Sequence, residues 1–275
     1  MYTPLGYRSK AGWFQEDLKT WLEKRKGLFP GYLTLWEFAI FGSPIISAIR
    51  LWLDPSVRFW IGWHSAVILA VPICLVMAHV IHVFLGRPSF AVMLLCTVFP
   101  SILVVVIGFW HSVPLGGVAD RLDSLDCFTY EDKRYMENAY LAAVPIYENC
   151  TARKAAAHNT TVQDVQRHLL LTNCEEYTAI MAEGTGPYVS QWAYLEKIVD
   201  TEECSGWCTK VDHPLWTHAR ADDMVPCTAA ASSVLRSKAR RIANRMFVTG
   251  LLDLFISTVV LMAVQEWLLK RGISW

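Results

Sequence analysis

Residues 91–113, "AVMLLCTVFPSILVVVIGFWHSV", decide the fold. The stretch has no Asp, Glu, Lys or Arg. It exceeds the roughly 20 residues of helix that cross a hydrocarbon core. Residues 59–85, "FWIGWHSAVILAVPICLVMAHVIHVFL", read the same way. Two weaker runs lie on either side: 32–53, with Glu37, Pro44 and Arg50, and 246–269, with Asp253 and Glu266. Composition agrees. Apolar residues make up 53% of the 275, and charged residues only 18%, against about 25% in a soluble domain. The expectation is an all-α membrane protein built on an antiparallel four-helix transmembrane bundle.

The connections between the runs are uneven. Asp54–Arg58 joins the first two and Gly86–Phe90 joins the next two, while a whole domain fits before the last. The expected domains are four: an N-terminal segment, 1–31; spans one to three, 32–113; a large cysteine-rich loop, 114–243; and span four with a short tail, 244–275. Within 1–31, Trp13, Phe14, Leu18, Trp21 and Leu22 fall at helical spacing with charges opposite, the pattern of a helix lying in the membrane interface. No short apolar run with a cleavage site follows the early lysines, so no cleaved signal is expected. Net charge is zero, which gives no general attraction to nucleic acid. The expected partners are the lipid bilayer and other membrane proteins.

Arg8, Lys10, Lys19, Lys24, Arg25 and Lys26 precede the first span, and Arg87, Lys270 and Arg271 fall on the same side. Cytoplasmic flanks are rich in Lys and Arg, so both termini are expected inside and the large loop outside. "RSKARRIANR", Arg236–Arg245, disagrees with this. Trp52, Trp60, Trp63 and Trp110 fall at the outer ends of the spans, and Trp36 and Trp267 at the inner ends, as two interfacial belts.

Cys127, Cys150, Cys174, Cys204, Cys208 and Cys227 lie in the large loop, whereas Cys74 and Cys96 lie within spans. Outside the cytosol six such residues imply three disulfides. Sequons at Asn149 and Asn159 need the same compartment. "ECSGWC", Glu203–Cys208, is read as a stapling corner. Closing a ring between Cys204 and Cys208 restrains little, whereas longer bridges restrict the unfolded loop more. Gly206 lets the chain turn, and Trp207 fills the space between two diverging bridges. One cysteine of the corner is expected to bridge back to Cys127, Cys150 or Cys174, and Cys227 to tie the loop's end to its body.

Met136, Ala139, Tyr140, Ala143, Val144 and Tyr147 follow amphipathic helical spacing. Thr161 and Asp164 resemble a capping box opening a helix through Leu171. "PYVSQWAYLEKIVD" from Pro187 is a third helix. "SSVLRSKARRIANR" has no Gly or Pro and is expected to run unbroken into span four.

Four spans with a large cysteine loop before the last resemble the tetraspanin family. "ECSGWC", then "PLWT" at Pro214–Thr217, then "PC" at Pro226–Cys227 and a helix entering the membrane, look like the end of a tetraspanin outer loop. The family's Cys-Cys-Gly motif is absent, and the nearest candidate is Cys174 in "NCEEY". The resemblance implies a non-enzymatic scaffold, a multi-pass glycoprotein of the plasma membrane or endomembrane. Two alternatives stay open: an accessory structural subunit of an organelle complex, for instance in the mitochondrial inner membrane, and a b-type haem or ion-handling membrane protein.

Other chemistry was weighed against this frame. Cys204, Cys208, His213 and His218 are zinc-type residues, but their spacing is short and disulfides compete for the thiols. His64 and His111, near the outer ends of spans two and three, are the candidate haem ligands. Arg50 and Asp253 are expected to form an intramembrane pair, because a lone acid in lipid is costly. No catalytic residue, metal or cofactor is expected.

Overall fold

A computed structural model describes residues 29–85, 90–218 and 224–270. The helix expected over 13–22, the turn at Arg87 and Arg271 lie outside these residues. So do the side chains of Trp36, Trp63, His79, His82 and Trp267. No strand occurs among the described residues.

The chain runs as α1 (Phe29–Leu53), α2 (Pro55–Ile61), a 3-10 segment (Gly62–Leu69) and α3 (Ala70–Leu85). Next come α4 (Phe90–Met93), a π-helical turn (Leu94–Val98) and α5 (Phe99–Asp123). The loop region holds α6 (Glu131–His158), α7 (Val162–Gln166), α8 (Glu175–Glu183) and α9 (Val189–Glu202). Finally α10 (Cys227–Ser233), a π segment (Val234–Ala239) and α11 (Arg240–Lys270) follow one another without a break. Two helical stretches are long and apolar enough to cross a membrane, Leu94–Asp123 and Cys227–Ala263.

The run over 59–85 is not one helix. Asp54 caps α2, its Oδ1 accepting the N–H groups of Ser56 (2.9 Å) and Val57 (3.1 Å), with Pro55 in the first turn. Gly62 closes α2 at φ +64, a left-handed backbone that disfavours any other residue. Phe59 and Trp60 therefore belong to α2, and the apolar helix proper starts at Ala70. The helix expected from Thr161 ends at Gln166 instead of Leu171, and α8 was not anticipated.

The chain forms two compact units. Unit 1 comprises residues through Ile49, Val67–Phe109 and Ala243 onward. Here α11 buries Ala243, Met246, Gly250, Asp253, Ser257 and Leu261 at steps of three or four residues, the period of one helix face. It meets α5 closely. A Cβ on Gly108 would lie 2.6 Å from the Phe247 backbone nitrogen, and one on Gly250 would lie 3.0 Å from that of Val105. Ridges can enter grooves this tightly only where the residue is Gly.

Unit 2 comprises Arg50–Ala66 and Trp110–Ile242, so the short first connection joins the large loop. Helix α6 is central to it. Its inner face buries Met136, Ala139, Tyr140, Ala143, Ile146, Tyr147 and Cys150. Trp192, Leu195 and Ile198 come from α9, Tyr177 from α8, and Leu215 and Trp216 from the segment after the corner. The polar edges of these aromatic rings are paired. Trp192 Nε1 donates to the Ala139 carbonyl (2.7 Å), and Trp216 Nε1 donates to the Tyr177 hydroxyl (3.1 Å).

The seam in unit 1 makes a direct prediction. Gly108→Ala should force α5 and α11 apart and cost about 1–3 kcal/mol, as overpacking does. Thermal unfolding of the purified chain reads this. Gly117→Ala, where nothing lies within 4 Å of the added methyl, serves as the neutral control.

Candidate functional site

The corner "ECSGWC" lies at the centre of unit 2. Cys127 bridges Cys208, Cys150 bridges Cys174, and Cys204 bridges Cys227. Cys204 and Cys208 thus leave in different directions, one to the start of α10 and one to the segment before α6. Cys74 and Cys96 form no disulfide. The bridges span 81, 24 and 23 residues. Each restricts the unfolded chain by about 3–4.5 kcal/mol on a loop-entropy basis.

Between the bridges, Trp207 is fully buried. Its Nε1 donates to the Lys133 carbonyl on α6 (3.0 Å), and its ring stacks at 6.1 Å on Trp60 of α2. The Cys208 N–H donates to Glu137 Oε2 on the next turn of α6 (3.0 Å). Gly206 sits at φ +68, and a Cβ there would fall 1.9 Å from the Thr209 carbonyl oxygen. The carbonyls of Gly206 and Trp207 accept the N–H groups of Cys227 and Thr228, each at 3.1 Å. Those are the first donors of α10, which a helix cannot satisfy internally. The corner therefore caps the long final helix.

Helix α2 completes the cluster. Phe59 stacks on Tyr194 at 4.2 Å. Trp60 Nε1 donates to the Tyr194 hydroxyl (3.0 Å), which donates to Ser56 Oγ (3.2 Å). Burial pushes the Tyr194 phenol up to about 12. Burial likewise raises the Asp54 carboxyl, against the pull of its two backbone hydrogen bonds. Trp60, expected in an interfacial belt, is a packing residue of this unit. The roles of Ser56, Trp60, Lys133, Glu137 and Tyr194 were not read from sequence. The Asp54–Pro55 pair, a helix-start signal, was the available clue to α2.

Lys133 is 2% exposed. Its Nζ donates to the carbonyls of Leu122 (3.1 Å) and Ser124, at the end of α5. Burial lowers its pKa. A cation at a helix C-terminus opposes the negative end of the helix dipole. Beyond it, Asp126 accepts the N–H groups of Phe128 (2.8 Å) and Thr129 (3.2 Å) and the hydroxyl of Thr129, and these bonds hold its carboxyl below the usual range. This stiff turn leaves Leu125 and Phe128 exposed.

The remaining expected residues are placed as follows. Asn149 and Asn159 are both exposed, Asn149 on α6 and Asn159 at its left-handed cap. His213 and His218 are exposed, and Cys204 and Cys208 are in disulfides, so no zinc quartet assembles. Among the described residues one metal-type cluster occurs, Cys127, Glu137 and Cys208, and its two sulfurs are bonded to each other. His111 is fully buried with Nε2 3.4 Å from the His64 backbone carbonyl oxygen, while the His64 side chain is exposed. Arg50 is exposed at the end of α1. Asp253 Oδ2 is buried and makes no hydrogen bond.

The basic stretch before the last apolar run is partly neutralised within unit 2. Arg236 pairs with Asp120 (2.7 Å) and Asp123 (3.1 Å), and Lys238 with Glu202 (2.7 Å). No family model matches the chain, and neither a curated protein nor a solved structure matches it.

Two predictions follow from the corner. Gly206→Ala should destabilise unit 2 by about 3 kcal/mol or more, through left-handed strain plus a clash with backbone. Non-reducing peptide mapping should then show 204–227 and 127–208 pairing fall together. The Tyr194 phenol should resist ionisation. The stability it contributes is fully present below about pH 10, where the unfolded phenol titrates, and is lost as pH rises toward about 12. Absorbance at 295 nm should show a late-titrating phenol that denaturation releases and Tyr194→Phe removes.

Proposed function

We propose that the chain is a non-enzymatic, tetraspanin-like membrane scaffold. It gathers partner membrane proteins through its apolar helices and through the disulfide-stapled unit. The observation that carries this reading is the exterior of the two long helices. On α5, Ile102, Val106, Phe109, Trp110 and Val113 are exposed, and on α11 Val248, Leu251, Leu252, Phe255 and Met262 are exposed. Apolar surface on this scale suits lipid or the helices of other membrane proteins. Each helix also buries a narrow seam on its other side, as a spanning helix in a bundle does.

Four further features support the reading. Six cysteines of unit 2 are paired, which suits an oxidising compartment. Asn149 and Asn159 are both exposed on that same unit. The Asp126 turn displays Leu125 and Phe128 on rigid backbone, a small apolar anchor of the kind that carries protein contacts. The pairing of Arg236 and Lys238 with acids accounts for the basic stretch on the side proposed to face outward.

Glycosidase treatment of the full chain expressed in animal cells tests compartment and orientation together. The expected result is a mobility shift that Asn149→Gln and Asn159→Gln each reduce. Absence of a shift, with the chain recovered from mitochondrial membrane, would replace this reading with the organelle-subunit one. Crosslinking in native membrane should capture membrane partners, and Phe128→Ser should weaken that capture several-fold.

A further inference from the structure

Within unit 1, α11 carries Asp253 and Ser257 one turn apart on its buried face, 7% and 2% exposed. Asp253 Oδ2 and Ser257 Oγ are both buried and make no hydrogen bond. The serine is an exception among its neighbours. Thr249 and Thr258 on α11 each bond the carbonyl four residues back, as does Ser101 on α5. This back-bonding is the ordinary outlet for a hydroxyl inside a helix. Ser257 does not use it.

The two glycine contacts fix what faces this pair. Gly108 abuts Ala243 and Phe247, and Gly250 abuts Val104 and Val105, so the helices run antiparallel. One turn further along that register Ser101 comes level with Asp253, and a turn beyond that Thr97 comes level with Ser257. Both facing residues are buried, at 0% and 2% exposure. Ser101 Oγ gives its proton to the Thr97 carbonyl (2.8 Å), which leaves its lone pairs as acceptors. Thr97 belongs to the π-helical turn Leu94–Val98, a rare geometry that recurs at functional sites. A polar layer thus lies in the otherwise apolar seam.

We propose that this layer is a binding site for a monovalent cation of the sodium class, with Asp253 and Ser257 as ligands and Ser101 and Thr97 on the opposite wall. Burial excludes a partner side chain, which would have to part the helices to reach the carboxylate. A small ion needs no such opening. Carboxylate and hydroxyl oxygens are hard donors that suit alkali and alkaline-earth ions. A single carboxylate balances one positive charge and would leave a divalent ion with an unpaired charge in an apolar seam. The inference does not depend on the scaffold reading, because it concerns how the seam is neutralised, not what the protein gathers.

The test is thermal unfolding of the purified full chain in detergent micelles, with sodium chloride exchanged for choline chloride at constant ionic strength. Wild type should show a saturable rise in melting temperature with sodium. Asp253→Asn should melt at one temperature in both salts, and Ser257→Ala should shift the sodium midpoint about tenfold higher. A flat wild-type response, as a carboxyl that is simply protonated would give, overturns the proposal. So does an unchanged sodium response in Asp253→Asn. If Asp253→Asn does not fold, the Ser257→Ala titration decides, and an unmoved midpoint overturns the proposal.

Discussion

An indole can be buried without penalty only if its N–H finds an acceptor, and Trp207 meets that constraint on the Lys133 carbonyl. Much of unit 2 follows from seating this ring. To reach α6 the chain must turn sharply at residue 206, and the positive φ and the nearby Thr209 carbonyl leave room for glycine alone. With the ring in place, Cys208 reaches Cys127 and its N–H reaches Glu137, while Cys204 points to Cys227. The carbonyls flanking the turn are then aimed at the first N–H groups of α10. A segment that looks like a cysteine motif is therefore also the cap of the final helical stretch.

The charges of unit 2 obey a similar economy. A buried lysine is costly unless its donors are met. Lys133 is met by carbonyls at the end of α5, where the helix dipole favours a cation. Its own carbonyl is the acceptor for Trp207, so the corner and the end of α5 are both tied to one residue of α6. The ion pairs of Arg236 and Lys238 are exposed and individually worth little. Their consequence is placement: acids on α5 and α9 offset a basic stretch that local charge counting reads as out of place.

Helical class, the unbroken final rod and the six-cysteine cross-linking were legible because each rests on a local signal: apolar runs, absence of Gly and Pro, and cysteine spacing. The buried face of α6 was legible for the same reason. What escaped depends on distant partners. Trp60 looks like an interfacial tryptophan until Tyr194 and Trp207, far along the chain, stand beside it. The break at Gly62 was hidden inside a run whose hydropathy is high on both sides, since hydropathy does not sense φ. Nothing in its local sequence marks Lys133, and only the end of α5 makes it a cap.

The seam of unit 1 raises a different balance. On the proposed reading, two apolar helices gain nothing hydrophobic by meeting in lipid, so close approach and dispersion contacts must hold them. Gly108 and Gly250 supply that approach. A carboxylate at the next turn works against it, because desolvation costs more the tighter the helices pack. Leucine at 253 would remove the conflict at no loss of packing volume. The acid is instead paired with a hydroxyl that forgoes its usual bond and is set level with two more hydroxyl groups and a π-helical turn. Each departure alone is a minor irregularity of a helix. Their coincidence over two adjacent turns, beginning one turn beyond the close approach at Gly250, is what a site built for a small charged ligand requires.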